Sequence, residues 1–335
     1  MIELALPWIK LALCSTLIGI AGPALVRNGD RIAALTGLSR SWIGLILLAT
    51  ATSLPELFTG ISAVTFADAP NIAVGDALGS CVFNLLMLVL LDELSRSNPM
   101  YRQIDQGHIL TAGFGIIMIG TVGAVILLRN SGLDIRILHV SIYTPFLIFL
   151  YLIAMRAAFD YQKRATNPQP NAMPGGITLR QAIGRYLVAA SVVIAAGIWL
   201  PFVGLDIAEK MGWQTTFVGT LLIAASTSVP EFVVSISALR MGAVDMAISA
   251  LLGSNLFDVL IIAIDDIAYG KGPLLPSVST AHTITAFTAV IMSGIFIVAL
   301  LFKPNSRIRG TISWISVSLL MAYLFSAYAS FLLGQ

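Results

Sequence analysis

The chain has 335 residues, of which 57% are apolar and 11% are charged, and its formal net charge is +2. An ordinary soluble domain carries about 25% charged residues, so lipid is the expected solvent for most of this chain. The small net charge and the lack of Lys/Arg runs argue against a nucleic-acid-binding protein.

Long apolar windows recur along the whole chain. Because a membrane-spanning helix needs about 20 mostly apolar residues, these windows predict an all-α, polytopic membrane protein of about ten transmembrane helices. The first window has no basic segment before it, so we expect it to remain as a helix rather than to be removed as a signal peptide. The predicted spans are approximately residues 4–25, 41–66, 70–91, 108–128, 136–157, 185–204, 214–239, 243–264, 280–302 and 311–333.

The stretch 158–184 separates the first five predicted spans from the last five. It is rich in Pro, Gly, Asn and basic residues, which is typical of a linker. We therefore predict a first five-helix repeat at 1–157, a linker at 158–184 and a second five-helix repeat at 185–335.

Loops on the linker side carry fourteen Lys and Arg residues and the opposite loops carry four. This bias predicts a cytoplasmic linker with both termini outside, and we expect the plasma (inner) membrane of a prokaryote.

Two motifs occur once in each half of the chain. In the PE motifs, ATATSLPELFTGISAV at 49–64 and AASTSVPEFVVSISAL at 224–239 share eight of sixteen residues at an offset of 175. In the GS motifs, AVGDALGSCVFNLL at 73–86 and AISALLGSNLFDVL at 247–260 share six of fourteen at an offset of 174. Each half holds an odd number of predicted spans, so the second copy enters the membrane from the opposite side. The sequence therefore predicts two inverted repeats, whose substrate site lies at their interface near the midplane.

Each PE motif places a proline and then a glutamate in the middle of a predicted span. Pro55 and Pro230 each remove a backbone donor and interrupt the helix, which frees carbonyl oxygens that need a partner in hydrocarbon. Glu56 and Glu231, together with Asp258 of the second GS motif, each cost at least about 2.5 to 3.5 kcal/mol to insert. No basic residue lies at a matching depth, so a bound cation is the expected source of compensating charge.

Hydroxyl and amide side chains share helical faces with these acids, because they lie three or four residues away or at matching motif positions. The result is an all-oxygen ligand set, which suits hard cations such as calcium and, by the same logic, sodium. The three histidines lie outside the motifs, and Cys14 and Cys81 complete no soft site, so zinc, copper and iron are disfavoured and the cysteines are expected to pack. The candidate hydroxyls and amide are Thr52, Ser53, Ser80, Asn84, Thr227 and Ser254.

The pairs TSLPE with GSCVFN and TSVPE with GSNLFD resemble the two alpha repeats of the sodium/calcium exchangers, within the cation/calcium exchanger superfamily. The resemblance implies that sodium and calcium compete for one central cluster and that sliding of the first and sixth helices alternates access. It also implies that the backbone carbonyls of Ala49 and Ala224 contribute. The ligand side chains that it implies are Thr52, Ser53, Glu56, Ser80, Asn84, Thr227, Ser228, Glu231, Ser254 and Asp258.

Several residues depart from the pattern of that family. Ala51 and Ser226 stand where glycine usually precedes the TS pair, and Cys81 replaces an asparagine. Asp76 stands where asparagine is expected, and it shares a helical face with Ser80, four residues later. We interpret Asp76 as an acid that attracts cations into an outward-facing vestibule, or else as a hydrogen-bonded residue at the start of a helix.

These features predict secondary active exchange of sodium for calcium, without enzyme activity or a cofactor. The expected partners are the two ions and the lipid bilayer, with no nucleic acid and no obligate protein partner. Coupling to protons or potassium, or transport of another divalent cation, is the alternative. An intramembrane enzyme with a Glu56/Glu231 dyad is disfavoured, because acid–base catalysis does not explain two sets of hydroxyls. An ion channel built on the same ligands is a further alternative, which saturable exchange would exclude.

Overall fold

The computed structural model describes residues 2–36, 50–95, 100–130, 135–165, 177–303, 307–308 and 312–333. Nearly all of these residues are helical, which confirms the predicted all-α class. The extended residues form two short antiparallel hairpins, Arg136–Ile137 with Val140–Ser141 and Arg307–Ile308 with Ile312–Ser313.

The principal helices are numbered here in chain order. Their bounds are α1 Ile2–Thr36, α2 Leu54–Thr65, α3 Pro70–Leu94, α4 His108–Leu127, α5 Tyr143–Ala165, α6 Leu179–Met211, α7 Thr215–Thr227, α8 Val229–Arg240, α9 Val244–Ala268, α10 His282–Phe302 and α11 Trp314–Leu333. The middle of α7, Val218–Ile223, is π-helical. A short helix, Met100–Gln103, and two 3-10 turns, Leu128–Asn130 and Leu275–Ser277, lie between them.

Most of the predicted spans have a matching helix. Among the described residues, eight helices are long and apolar enough to cross a membrane, and α7 with α8 forms a bent pair, at 44°, that gives a ninth candidate. The helix α2 has only twelve residues. Residues 37–49, which begin the predicted second span, lie outside the described part of the chain. The number of ten spans therefore stays a prediction.

The centre of the molecule is formed by α3 and α9. In their most apolar windows 78% and 83% of the residues are buried, against 33% in α5 and 22% in α11. The two helices run antiparallel, because later residues of α3 meet earlier residues of α9. Cys81 lies 3.9 Å from Asp258, whereas Asn84 lies 3.0 Å from Asn255. The two GS motifs therefore cross in opposite directions.

The two longest helices, α1 and α6, pack along each other outside this centre. Each of them also contacts the helix that carries the proline and glutamate of the PE motif of the other half, α1 against α8 and α6 against α2. A Cβ on Gly22 of α1 would collide with the ring of Pro230, and Gly197 of α6 lies against the carbonyl oxygen of Pro55. The missing side chains let the long helices approach the two prolines at backbone distance.

Both central helices end near a buried aspartate that neighbouring segments hold. Asp92 of α3 accepts a hydrogen bond from Ser316 Oγ at 2.7 Å. Asp266 of α9 accepts bonds from Tyr143 and Thr144, each at 2.6 Å. A hydrogen bond to a charged group contributes about 1.5 to 3 kcal/mol, so these aspartates tie α3 to α11 and α9 to α5.

The fifth span and the linker differ from the sequence-based boundaries. The helix α5 begins at Tyr143 rather than near residue 136, because residues 136–141 fold into a hairpin. It then continues to Ala165, and α6 already starts at Leu179. Regular helix therefore takes up part of both ends of the predicted linker, and residues 166–176 lie outside the described part of the chain.

Candidate cation-binding site

The two PE motifs form matching helix breaks. Ser53 and Ser228 stand at the breaks, with φ −91°, ψ 15° and φ −77°, ψ 7°, and new helices begin at the following residues. Pro55 and Pro230 occupy the first turn of those helices, where the missing N–H of a proline needs no helical partner. The proline-induced interruption predicted from the sequence is confirmed at both places.

Each break delivers a glutamate to the first turn of a helix, where the positive end of the helix dipole favours a carboxylate. The carbonyl of Ala49 lies outside the described residues. Every other residue of the predicted ligand set is buried, with at most 1% of its surface exposed. These are Thr52, Ser53, Glu56, Ser80, Asn84, Ala224, Thr227, Ser228, Glu231, Ser254 and Asp258.

Hydroxyl groups surround one oxygen of Glu231. Ser254 donates to Glu231 Oε1 at 3.0 Å, and Ser53 Oγ lies 2.7 Å from Ser254 Oγ and 3.4 Å from the same carboxylate oxygen. Because each hydroxyl has one proton, the short distances define a relay in which Ser53 donates to Ser254 and Ser254 donates to Glu231. Thr52 also donates to this carboxylate. The first PE motif therefore supports the glutamate of the second.

The relay is incomplete around Glu56. Ser228 donates to Ser80 at 3.1 Å, which matches the bond between Ser53 and Ser254 in the other half. Among the described residues, however, no side-chain hydrogen bond continues from Ser80 to Glu56, and Oε2 of Glu56 has no partner. One of its buried oxygens is therefore open.

Thr227, the counterpart of Thr52, points to a different acid. Its hydroxyl donates to Asp76 Oδ1 at 2.9 Å. Asp76 is only 1% exposed, so in this conformation it lies at the edge of the cluster rather than in a solvated vestibule. The interpretation of Asp76 as a vestibule acid does not fit this burial, and the hydrogen-bonded alternative fits it.

The GS motifs contribute amide and carboxylate groups. Asn84 donates to Asn255 Oδ1 at 3.0 Å, and Asn255 donates to the carbonyl of Cys81 at 3.3 Å. The Cys81 thiol lies 3.9 Å from Asp258 Oδ2. Both Cys14 and Cys81 are free and buried, as expected of packing residues, but Cys81 also borders the site.

Each of the four motifs leaves one buried side-chain oxygen at a predicted ligand position without a hydrogen-bond partner among the described residues. These oxygens are Glu56 Oε2, Asn84 Oδ1, Glu231 Oε2 and Asp258 Oδ1. A buried polar atom without a partner costs about 1 to 3 kcal/mol, and more when it is charged. The carboxylates also repel one another, since Glu56 interacts electrostatically with Glu231 and Asp258. Oxygens left open among like charges are what a cation stabilises.

The site is not a compact carboxylate centre. Within the described part of the chain, no group of three or more His, Cys, Asp or Glu side chains is arranged to hold a metal ion. The hydroxyl and amide groups therefore have to supply part of any coordination shell. The carbonyl of Ala224 already accepts the N–H of Ser228 at 3.0 Å and lies 3.2 Å from Thr227 Oγ1. Its role as a ligand stays a prediction that requires these contacts to open.

Two contacts at the site were not anticipated from the sequence. Asn255 binds Asn84 directly and connects the two GS motifs. Asp76 binds Thr227 across the two halves. In the alignment of the GS motifs, Asn255 is the residue that matches Cys81, and this polar residue at a motif position pointed to a role in the site. The alignment gave no indication of the partner of Asp76, because the residue that matches Asp76 is Ala250.

Comparisons with known proteins agree with these motifs. A family profile described as "Sodium/calcium exchanger protein" matches residues 6–159 and 181–332, which cover both halves of the chain. The chain is 27% identical over 332 residues to the sodium/calcium exchanger MaX1 of Methanosarcina acetivorans, and the alignment covers 89% of this chain and 91% of that protein.

Two solved structures show the same fold. The sodium-calcium exchanger NCX_Mj has a TM-score of 0.63 at 21% identity, and the match covers 97% of this chain and 98% of that one. The H+/Ca2+ exchanger CAX has a TM-score of 0.66 at 13% identity, over 99% of this chain and 90% of that one. The fold is therefore shared by exchangers with different coupling ions.

Proposed function

The chain belongs to the sodium/calcium exchanger protein family, and we propose that it is a secondary active antiporter that exchanges sodium for calcium through the cluster between its two halves. The protein is an integral membrane protein of an ion-exchanger family, not of a catalytic family. The proposal adds the identity of both ions, the ligand set and the alternation of access.

The proposed architecture is ten helices in two inverted five-helix repeats. The antiparallel crossing of α3 and α9 supports it, because these helices carry the two copies of the GS motif. The partial second span, of which α2 is the described part, would supply the tenth helix. In this arrangement the linker is cytoplasmic and both termini are outside, as the distribution of Lys and Arg predicts.

One observation carries the proposed site. Four helices from both halves each present a buried oxygen at a predicted ligand position that has no hydrogen-bond partner within the described part of the chain, from Glu56, Asn84, Glu231 and Asp258. Three of these groups are carboxylates, so the cluster has the charge to balance one calcium ion or several sodium ions. Calcium takes about 6 to 8 oxygen ligands, which the open oxygens reach only with the help of the nearby hydroxyls. The remaining proposed ligands are Thr52, Ser53, Ser80, Ala224, Thr227, Ser228 and Ser254, with the carbonyl of Ala49.

Access to the cluster would alternate through the two long helices. Gly22 of α1 touches Pro230, and Gly197 of α6 touches Pro55, so each long helix lies directly on one helix break. Sliding of α1 and α6 past these prolines would expose the cluster first to one side of the membrane and then to the other. Because they pack along each other, the two helices would move as one unit.

The coupling ion is the part of the proposal that the fold leaves open, since CAX has the same fold. Calcium uptake into proteoliposomes separates the possibilities. We expect uptake to require an outward sodium gradient, and to persist when the proton gradient is removed with an ionophore. Uptake driven by a proton gradient without sodium would replace this proposal with proton-coupled exchange. Glu231→Gln is the matched control, because it removes one carboxylate and leaves the shape of the side chain.

A further inference from the structure

Two adjacent aspartates of α9 have opposite surroundings. Asp266 accepts hydrogen bonds from Ser141 N, Tyr143 OH, Thr144 Oγ1 and Leu274 N at 2.6 to 3.1 Å. Asp265 is completely buried, yet neither of its carboxylate oxygens has a partner among the described residues. Asp266 therefore links α9 to neighbouring segments through hydrogen bonds, whereas Asp265 makes no such bond among the described residues.

The carboxylate of Asp265 is packed against Gly60 of α2. A Cβ on Gly60 would overlap that carboxylate, so the missing side chain makes the room for it. Gly60 follows Glu56 by four residues and lies on the same face of α2. Asp265 follows Asp258 by seven residues, about 10 Å along α9. Asp265 is thus placed about one helical turn beyond Glu56 on α2 and about two turns beyond Asp258 on α9, toward one side of the membrane.

This arrangement occurs on one side of the molecule only. At the offsets of the repeat, Ser235 corresponds to Gly60 and Leu91 corresponds to Asp265. Asp76, whose counterpart is Ala250, interacts electrostatically with Asp265. Two acids that have an apolar counterpart in the other half, Asp76 and Asp265, therefore act on each other.

Titratable side chains on α9 and on the helices packed against it define the electrostatic surroundings of Asp265. Asp76 of α3 acts on it directly, and no Lys or Arg of the described residues forms an ion pair with it. The other titratable groups on these helices are Glu56 of α2, Cys81, Asp92 and Glu93 of α3, Tyr101 and Arg102 of the short helix Met100–Gln103, Tyr143, Tyr151, Arg156, Asp160, Tyr161, Lys163 and Arg164 of α5, Glu231 and Arg240 of α8, and Asp245, Asp258 and Asp266 of α9 itself; His108 of α4 pairs with Asp245 near the start of α9. A bare carboxylate in such a place costs several kcal/mol, so it needs a proton or a cation.

We propose that Asp265, set against Gly60, is a proton-binding site whose occupancy controls the cation affinity of the central cluster. A metal ion needs several oxygen ligands, whereas a proton needs one, and no hydroxyl or amide of the described residues is hydrogen-bonded to Asp265. Loss of the proton adds a negative charge near Asp258 and raises cation affinity. By linkage, cation binding lowers the affinity of Asp265 for its proton by the same factor. This inference rests on the proposed function, because the regulated cluster is the proposed site.

The sign of the effect follows from the charges. At low pH Asp265 is neutral and the cluster binds calcium more weakly, and calcium affinity rises as the proton leaves. Asp265→Asn holds this position in the neutral form. At high pH we expect it to weaken calcium binding at least roughly tenfold, and to weaken sodium binding less, because a divalent ion responds more steeply to one charge. At low pH the variant and the wild type should converge.

The test uses the full-length protein in detergent, with calcium titrations over a series of pH values and proton release recorded in weakly buffered solution. Asp265→Asn should flatten the pH dependence of calcium affinity and reduce the number of protons released. Asp68→Asn is the matched control, because this exposed aspartate pairs with Lys271 at 2.7 Å outside the cluster. A monodisperse Asp265→Asn protein with the pH dependence of the wild type overturns the proposal. Loss of a sodium-dependent component with unchanged proton release also overturns it, since it identifies a sodium site.

A second pair of variants keeps the test valid if Asp265→Asn fails to fold. Gly60→Ala and Gly60→Ser both displace the carboxylate, but only the serine adds a donor that favours its charged form, as its counterpart Ser235 could. The midpoint of the pH profile should lie lower in Gly60→Ser than in Gly60→Ala, and equal midpoints contradict the proposal. Infrared difference spectra over the same pH range give a readout that needs no calcium. A carboxylic acid band that titrates in the wild type and is missing in Asp265→Asn supports the proton site even if the wild type binds no calcium, which would refute the proposed function alone.

Discussion

The two glutamates of the cluster stand in nearly identical motifs but have different surroundings. Glu231 has one oxygen held by Ser254 and Thr52, whereas the matching relay stops at Ser80 before it reaches Glu56. The structure contains a physical reason for the difference. Thr227, which by symmetry should serve Glu56, donates to Asp76 instead, and the other half has no acid at that position. One substitution outside the ligand set thus makes a duplicated site asymmetric.

The largest expected effect tests whether both halves are needed. Glu56→Gln and Glu231→Gln should each reduce sodium-dependent calcium uptake by at least about 100-fold, because each removes a charge from a buried cation site. Both variants should elute as monodisperse protein, as should the control Asp68→Asn, which should also transport normally. Uptake at the wild-type rate by either glutamine variant would remove that glutamate from the site.

The next effect concerns the difference in charge at one ligand position of the GS motifs, which is Asn84 in the first and Asp258 in the second. Asp258→Asn makes these two positions equal in charge, and we expect calcium affinity to fall by roughly tenfold or more and sodium affinity to fall less. Asn84→Asp is the reciprocal variant and should shift the ratio in the opposite direction. Calcium and sodium titrations of both variants give the measurement, and equal losses for the two ions would count against the role assigned to Asp258.

A smaller effect separates the two serine relays. Ser254 donates to a carboxylate, whereas Ser80 accepts from another serine. A hydrogen bond to a charged group contributes about 1.5 to 3 kcal/mol and a neutral one about 0.5 to 1.5 kcal/mol. Thermal unfolding in ion-free detergent solution should therefore show a larger destabilisation for Ser254→Ala than for Ser80→Ala. The opposite order would mean that the relay around Glu231 does not persist in solution.

The smallest effect tests the cause of the asymmetry. If Asp76 diverts Thr227 from Glu56, then Asp76→Asn and Thr227→Val disrupt the same contact and their effects on calcium affinity should not add. We expect a coupling energy of about 1 kcal/mol in a double-mutant cycle. Additive effects would show that the 2.9 Å contact between the two residues does not contribute to binding.

Most of the cluster could be predicted from the sequence because its signals are local. The TS-x-PE pattern places a proline and an acid within one helical turn, and the proline alone predicts an interrupted helix in each half, which the structure places at Ser53 and Ser228. Because the motif occurs once in each half, the sequence also predicts that both breaks contribute to one site at the interface of the repeats. Apolar windows also located α4, α10 and α11 to within a few residues.

The remaining features depend on tertiary contacts that no local pattern encodes. Asp265 and Asp266 are neighbours of the same residue type, and only the positions of Gly60, Tyr143 and Thr144 distinguish the open carboxylate from the anchored one. The donor to Asp76 comes from the other half of the chain. Such pairings are fixed by helix packing, so the sequence identified the residue types of the site but not which atoms are left open.

The most direct test of the central claim is a calcium titration of the purified protein at several sodium concentrations. If the four open oxygens form one shared cluster, sodium should raise the apparent Kd for calcium without reducing the number of calcium sites. The increase should be steeper than proportional to sodium concentration, because several monovalent ions replace one divalent ion. A calcium Kd that does not change with sodium would contradict the account.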